Sequence, residues 1–315
     1  MSPLMSVRDL VVEVPAQNIK IIDGISFSLN AGETLGLVGE SGCGKSMTCY
    51  AIANMLPKGV VHSRGTIDFH NNKTTKSAME KPSIAMIFQD PTSSLNPVHT
   101  IGYYLQSTLY RHQGLTGNDA RMEAIRLFER VGINQANQGL KAYPHQFSGG
   151  MNQRVMIAHA LAAKPQLLIA DEPTTALDVT MQAQILYLLE ELKQETGMAL
   201  IIVSHDLGVI ARLADKAAVM YCGKIAETAP VANLLEYPAH PYARALIGCM
   251  PSINPAHFEP PVPIPGAVPM LNDLPQGCYF HPRCAHAQDN CRMQAPTPAP
   301  INHAHDVSCY YPVAS

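Results

Sequence analysis

The chain is expected to fold as an α/β protein with a helical insertion and a small cysteine-containing C-terminal extension. Three observations carry this. Residues 34–38, 83–89, 167–171 and 198–204 are short apolar runs, the mark of strands buried on both faces. Around them the spacing turns helical, at 45–56, 120–131, 154–163 and 180–196. Beyond about residue 236 prolines crowd in, and a proline-rich segment continues neither helices nor central strands.

Taken in order, residues 7–14 and 21–29 alternate apolar and polar and are expected to pair antiparallel. The run Thr34-Leu35-Gly36-Leu37-Val38 leads into a glycine-rich loop, and Met47, Ala51 and Met55 then repeat near helical spacing. Residues 65–69 read as a short strand, and the 83–89 run ends in Gln89-Asp90-Pro91. Asp119 is placed to cap a helix over 120–131, with Ile125 and Phe128 inward and Gly132 as terminator. With the helix over 154–163, a helical insertion of about 95–160 interrupts the α/β pattern. The 180–196 helix is stopped by Gly197, and 217–229 reads as a hairpin turning at Cys222-Gly223. The expected division is one domain over 5–236 and an extension over 237–315, with no solenoid repeat.

The bulk numbers bound the class. At 315 residues and 47% apolar the chain has material for a sizeable core. A net charge of -3 argues against a nucleic-acid partner. No apolar run reaches the roughly 18 residues of a membrane span, and Met1-Ser2-Pro3-Leu4 opens no secretory signal. A cytoplasmic chain with reduced thiols is expected, with any membrane role exerted through a partner.

Gly39-Glu40-Ser41-Gly42-Cys43-Gly44-Lys45-Ser46, running on to Met47, follows a strand and opens a helix. That is the context a phosphate-cradling loop requires. Its glycines turn backbone N–H groups toward phosphate oxygens, and the helix N-terminus adds positive potential. Lys45 is expected to reach the β- and γ-phosphates and the Ser46 hydroxyl to ligate Mg2+. Cys43 is either an inert small filler or an oxidation-sensitive thiol favoured by the helix N-terminus.

Leu167-Leu168-Ile169-Ala170-Asp171-Glu172 ends an apolar strand in a carboxylate pair. Asp171 is placed to hold Mg2+ and Glu172 to polarise the attacking water as general base, against the plainer reading of Glu172 as a cap or ion-pair partner. Gln89 is a candidate Mg2+ and water contact. His205 closes the last apolar strand and is expected to contact the γ-phosphate, although a lone histidine there is more often structural.

In this order the residues resemble the ATP-binding subunits of ABC transporters, over essentially the whole chain. The matching motifs are the Walker A loop at 39–46, the Q-loop Gln89, the signature at 147–151, the Walker B strand at 167–171, the D-loop Thr175-Ala176-Leu177-Asp178 and the switch histidine His205. The resemblance implies a RecA-like core, an antiparallel β subdomain and a helical signature subdomain. It also implies that Ser148, Gly149 and Gly150 contact the γ-phosphate held by the opposite subunit. Gln89-Asp90-Pro91-Thr92-Ser93-Ser94-Leu95-Asn96-Pro97, Tyr143-Pro144-His145-Gln146-Phe147 and His240-Pro241-Tyr242 are similar to the oligopeptide/dipeptide importer branch, which also serves nickel, opines and glutathione. That branch implies a second, non-identical ATPase subunit, two membrane permeases, an extracytoplasmic binding protein and a place at the cytoplasmic face of the membrane. Two departures stand out: Met151 replaces the usual signature glutamine, and no aromatic precedes Phe27, so adenine is expected on aliphatic groups. Soluble ABC proteins of DNA repair or translation carry long coiled coils or two cassettes, which this chain lacks. A P-loop kinase would not need Ser148-Gly149-Gly150.

Cys278, Cys284, Cys291 and Cys309 sit in the proline-rich, core-poor tail and suggest a ligated staple. Tetrahedral zinc, a four-iron four-sulfur cluster and unligated thiols are all open on spacing alone, although paired Cys-x-x-Cys is absent. The branch resemblance implies the iron–sulfur cluster. His281, His286, His303 and His305 are expected to be solvated or hydrogen-bonded, and Cys49, Cys222 and Cys249 to be packing residues.

Overall fold

A computed structural model describes residues 3–70, 83–175, 177–249, 263–302 and 304–313. Pro251, Pro255, Pro260 and Pro261 of the tail, Ala176 of the D-loop and His303 lie outside the described residues. The chain divides into two units, one of Met1–Leu29, Thr34–His70 and Val203–Ser315, the other of Asn30–Glu33 and Asn71–Ile202.

In the first unit, β1 (Met5–Val14) and β2 (Ile19–Leu29) pair antiparallel, as their alternation predicts. Val7, Leu10, Val12, Ile22 and Ile25 form their buried face. β3 (Thr34–Val38) is buried at all five positions and runs into the glycine loop. α1 (Lys45–Ile52) follows it and stops short of 56, because Asn54 takes a left-handed φ of 56°. β4 (Val61–Phe69) begins earlier than its apolar pattern because it pairs antiparallel with β1 from Glu13 opposite Val61 onward. Backbone pairing, rather than burial, sets its length, and the order is β2-β1-β4.

The second unit begins with β5 (Ile84–Ile87) and continues through α2 (Pro91–Ser94), α3 (Ile101–Gln113), α4 (Gly117–Arg130), α5 (Ala136–Gly139) and α6 (Gly149–Ala162). β6 (Leu167–Asp171), α7 (Val179–Thr196) and β7 (Ala199–Val203) complete it. β5 and β6 pair in parallel, Ile84 opposite Leu167 through Ile87 opposite Ala170. The strand order is β7-β6-β5. α3, α4 and α6 pack on one another over Leu105, Leu109, Ala124 and Phe128. α4 starts before the predicted 120, after Thr116, so Asp119 lies in its first turn, where a carboxylate favours the helix dipole. Leu127, rather than Ile125, joins Phe128 on the buried face. α6 begins at the signature glycines rather than at 154, because Ser148 caps it by accepting a hydrogen bond from Met151 N at 3.3 Å.

The chain then returns to the first unit through α8 (Leu207–Leu213), β8 (Lys216–Tyr221) and β9 (Lys224–Pro230). Cys222 and Gly223, at φ 44° and 79°, make the two left-handed residues that a tight hairpin turn requires. α9 (Val231–Glu236) and α10 (Pro241–Gly248) follow. α10 forms inside the proline-rich stretch because Pro241 occupies the first turn, where its missing N–H costs nothing, and His240 caps it. α11 (Asp289–Met293), β10 (Ala299–Asn302) and β11 (His305–Val307) end the fold. β11 pairs with β9, and the order in this unit runs β10-β11-β9-β8-β3, with β3 and β8 parallel. No helix among the described residues is long and apolar enough to cross a membrane.

Candidate functional site

The phosphate loop is held from several sides within the first unit. Gly39 has φ 146°, and a Cβ there would run into the Met220 carbonyl, so only glycine fits. Gly44, at φ 104°, caps α1, and its carbonyl accepts from Thr48 N and Thr48 Oγ1, both at 2.9 Å. Gly223 N donates to the Cys43 carbonyl at 2.9 Å, tying the loop to the β8–β9 turn. The Lys45 ammonium is buried and donates to the carbonyls of Gly39 at 2.7 Å and Glu40 at 3.0 Å. Ser41 and Gly42 form the exposed crest of the loop, while Ser46 and Met47 are half-buried in the first turn of α1.

Cys43 is 1% exposed, and burial pushes its thiol up despite the neighbouring Lys45. A neutral, enclosed thiol is a packing group, which favours the filler over the reactive reading. Cys222, also buried, is pushed up to about 12 by burial.

His205 belongs to this unit too. It is exposed between the buried Ser204, whose N–H donates to Leu37 O at 3.3 Å, and Asp206, which caps α8 by accepting from Gly208 N at 2.7 Å.

The carboxylate pair, Gln89 and the signature lie in the second unit. Asp171, at the end of the fully buried β6, is 1% exposed. Glu172 is half-buried with φ 47°, a left-handed conformation that a non-glycine residue adopts at a cost. Its Oε2 accepts from Gln89 Nε2 at 2.8 Å and from Thr175 Oγ1 at 3.0 Å. The structure thus brings Gln89 and Glu172 together across 83 positions. It also adds Thr175, whose part in holding Glu172 sequence reasoning missed; the signal was the three-residue spacing from Glu172. Asp178 caps α7 by accepting from Met181 N at 2.9 Å. A Cβ on Gly149 would meet nothing within 4 Å, so the N-terminus of α6 is open there, whereas Gly150 lies against the Met181 side chain.

The tail corrects one expectation. Among the described residues, no group of three or more His, Cys, Asp or Glu side chains is arranged to hold a metal ion, which argues against the four-iron four-sulfur cluster on Cys278, Cys284, Cys291 and Cys309. Burial pushes the Cys278 and Cys284 thiols up, and Cys309 up to about 11. The gap beside them is about 20 Å3, room for a water molecule.

The tail is also less core-poor than its composition suggests. Phe280, Tyr242 and Tyr221 are buried ring to ring, with centroids 4.7–5.3 Å apart. The buried Glu227 carboxylate accepts from Ala239 N, His240 N and His305 Nε2 at 2.6–3.1 Å. Of the tail histidines, His281 Nδ1 lies 3.0 Å from Cys278 O. His240, on the near side of the tail, accepts from Tyr242 N at its Nδ1, and burial lowers its pKa to about 4.

These features belong to a class, an ATP-binding cassette. A family model described as ABC transporter matches residues 22–175, and one described as oligopeptide/dipeptide transporter, C-terminal region, matches 226–291. The oligopeptide transport ATP-binding protein OppD of Haemophilus influenzae is 42% identical over 98% of both chains. The dipeptide transport ATP-binding protein DppD of Escherichia coli is 43% identical over 93% of this chain and 91% of its own. A solved structure of cbiO1 from Clostridium perfringens, part of an ABC transporter complex, aligns with a TM-score of 0.61 at 26% identity, covering 75% of this chain and 92% of that one. The chain belongs to the ATP-binding subunits of ABC transporters, in the oligopeptide/dipeptide importer family. Its core is of the RecA-like ABC ATPase type, and its family works in multi-subunit importers.

Proposed function

We propose that this chain hydrolyses ATP to power import of di- and oligopeptides, acting from the cytoplasmic face of the membrane. The observation that carries the reading is the presence in one chain of an ABC ATPase match at 22–175 and a peptide-transporter match at 226–291. Residues 5–236 serve as the ATP-binding domain, with its helical part at about 95–160, and 237–315 as the extension. Gly39, Glu40, Ser41, Gly42, Cys43, Gly44, Lys45, Ser46 and Met47 cradle the phosphates. The hydroxyl of Ser46, the carboxylate of Asp171 and the amide oxygen of Gln89 make an all-oxygen donor set, the chemistry that suits Mg2+. When bound, Mg2+ neutralises charge on the β- and γ-phosphates.

Glu172 polarises the attacking water, oriented by Gln89 and Thr175, which support this role by sharing its Oε2. His205 steadies the γ-phosphate. Ser148, Gly149 and Gly150 face the ATP held by a second, non-identical ATPase subunit, with Asp178 near that junction. Two permeases and an extracytoplasmic binding protein complete the importer, and cargo is selected there.

Uptake in cells carrying the native chain or Glu172→Gln tests the reading with a labelled dipeptide, a longer peptide, glutathione and nickel. Loss of peptide uptake alone is the expected result. Loss of nickel uptake alone moves the cargo to metals, and unchanged uptake of every compound with the protein expressed overturns the transport reading.

A further inference from the structure

We propose that Arg283, in the C-terminal segment, is a positioning residue for the phosphate loop: it grips the Glu40 carboxylate with both guanidinium arms and so fixes the loop on which Lys45 rests. The inference rests on reading residues 39–47 as the ATP cradle.

The two residues are 243 positions apart, and the pairing is two-pronged. Arg283 Nη1 donates to Glu40 Oε2 at 2.7 Å and Nη2 to Glu40 Oε1 at 3.0 Å. The Arg283 side chain is only 4% exposed, so this is no solvent-screened surface pair. Two further donors are used as well. Nε donates to Pro265 O at 2.9 Å and Nη1 to the Tyr221 hydroxyl at 3.3 Å. The guanidinium also lies 5.8 Å from the Tyr221 ring centroid and 5.9 Å from that of Phe280. A planar fork held on every side suits arginine, and lysine does not replace it.

Glu40 transmits this order to the loop. Its N–H donates to the Tyr242 hydroxyl at 2.9 Å, so backbone and side chain are both anchored by residues from beyond 240. Its carbonyl accepts from Lys45 Nζ at 3.0 Å and from Cys43 N at 3.3 Å. A shift of Glu40 therefore moves one of the two carbonyls on which the Lys45 ammonium rests. There is an electrostatic side too. An unpaired carboxylate in a loop that receives a triphosphate repels it, and the Arg283 fork neutralises that charge.

The test is a double-mutant cycle on the full chain, reading MgATP Kd and thermal stability together. Lys45→Ala serves as the non-binding control. Arg283→Gln is expected to weaken MgATP binding about tenfold. Adding Glu40→Gln to it is expected to restore the part of that loss due to the unpaired carboxylate and to leave the part due to the lost fork. A purely structural arginine would not produce this reversal. Arg283→Lys, which keeps the charge but not the fork, should fall between, and it carries the test if Arg283→Gln does not fold. Wild-type affinity in folded Arg283→Gln or Arg283→Lys, or no recovery in the double variant, overturns the proposal. A wild-type protein that binds no MgATP overturns the reading of the loop itself, and the proposal with it.

Discussion

The phosphate loop and the end of β6 present opposite kinds of order. Around the loop, Lys45 and Arg283 are nearly enclosed, and Gly39, Cys43, Gly44 and Glu40 are each fastened to neighbouring backbone or side chains. Glu172 stands half-buried at φ 47°, with one carboxylate oxygen accepting from both Gln89 and Thr175. A binding cradle gains from being formed in advance, since ordering lost on binding is affinity lost. A general base, the role proposed above for Glu172, gains instead from a hold that can shift when a site closes.

That contrast is open to measurement. The largest effect should come from Glu172→Gln, with turnover down about 10²–10⁴-fold and MgATP Kd within about twofold, read by phosphate release and nucleotide titration. An equal loss in both would make Glu172 part of the cradle and erase the contrast. Loosening the hold should cost less. Gln89→Ala and Thr175→Ala each leave Glu172 one fewer donor and should lower kcat about three- to tenfold at unchanged ATP affinity.

The enclosed region should answer to pH instead. His240 has a pKa lowered to about 4, below its unfolded value, so the unfolded chain binds the extra proton. Its contribution is therefore complete above about pH 6.5 and is lost as pH falls toward 4, by at most about 3 kcal/mol. His240→Asn, which keeps a cap on α10, should flatten that slope in urea melts. The smallest effect belongs to Cys43→Ala. ATP affinity should stay within about threefold, and Cys43 in the native protein should resist thiol reagents, read by mapping the labelled cysteines, because its side chain is enclosed.

Much of this was legible in the chain. The strands β3, β6 and β7, buried at every position, the Gly197 stop and the Cys222-Gly223 turn follow from burial on both faces and from left-handed backbone, both local properties, whereas β5 is fully buried only at Ala85 and Ile87. Element ends were less so: β4 reaches back to Val61 through pairing with β1, and α6 reaches forward to Gly149 through the Ser148 cap.

The tail was misjudged for a physical reason. Four cysteines among prolines suggest a metal where no core is evident. The core that replaces it is assembled from Tyr221, Tyr242 and Phe280, which lie far apart in sequence.

By itself the sequence determined the residue types on offer: which glycines turn, which lysine follows the glycine loop and which carboxylates end a buried strand. Those are properties of residue type and spacing, and they survive without coordinates. Only the tertiary structure decided which distant groups share an atom. Gln89 and Thr175 converge on one oxygen of Glu172, and Arg283 crosses the chain to Glu40. Side-chain pairing at this range depends on where the backbone returns, and no local pattern encodes that return.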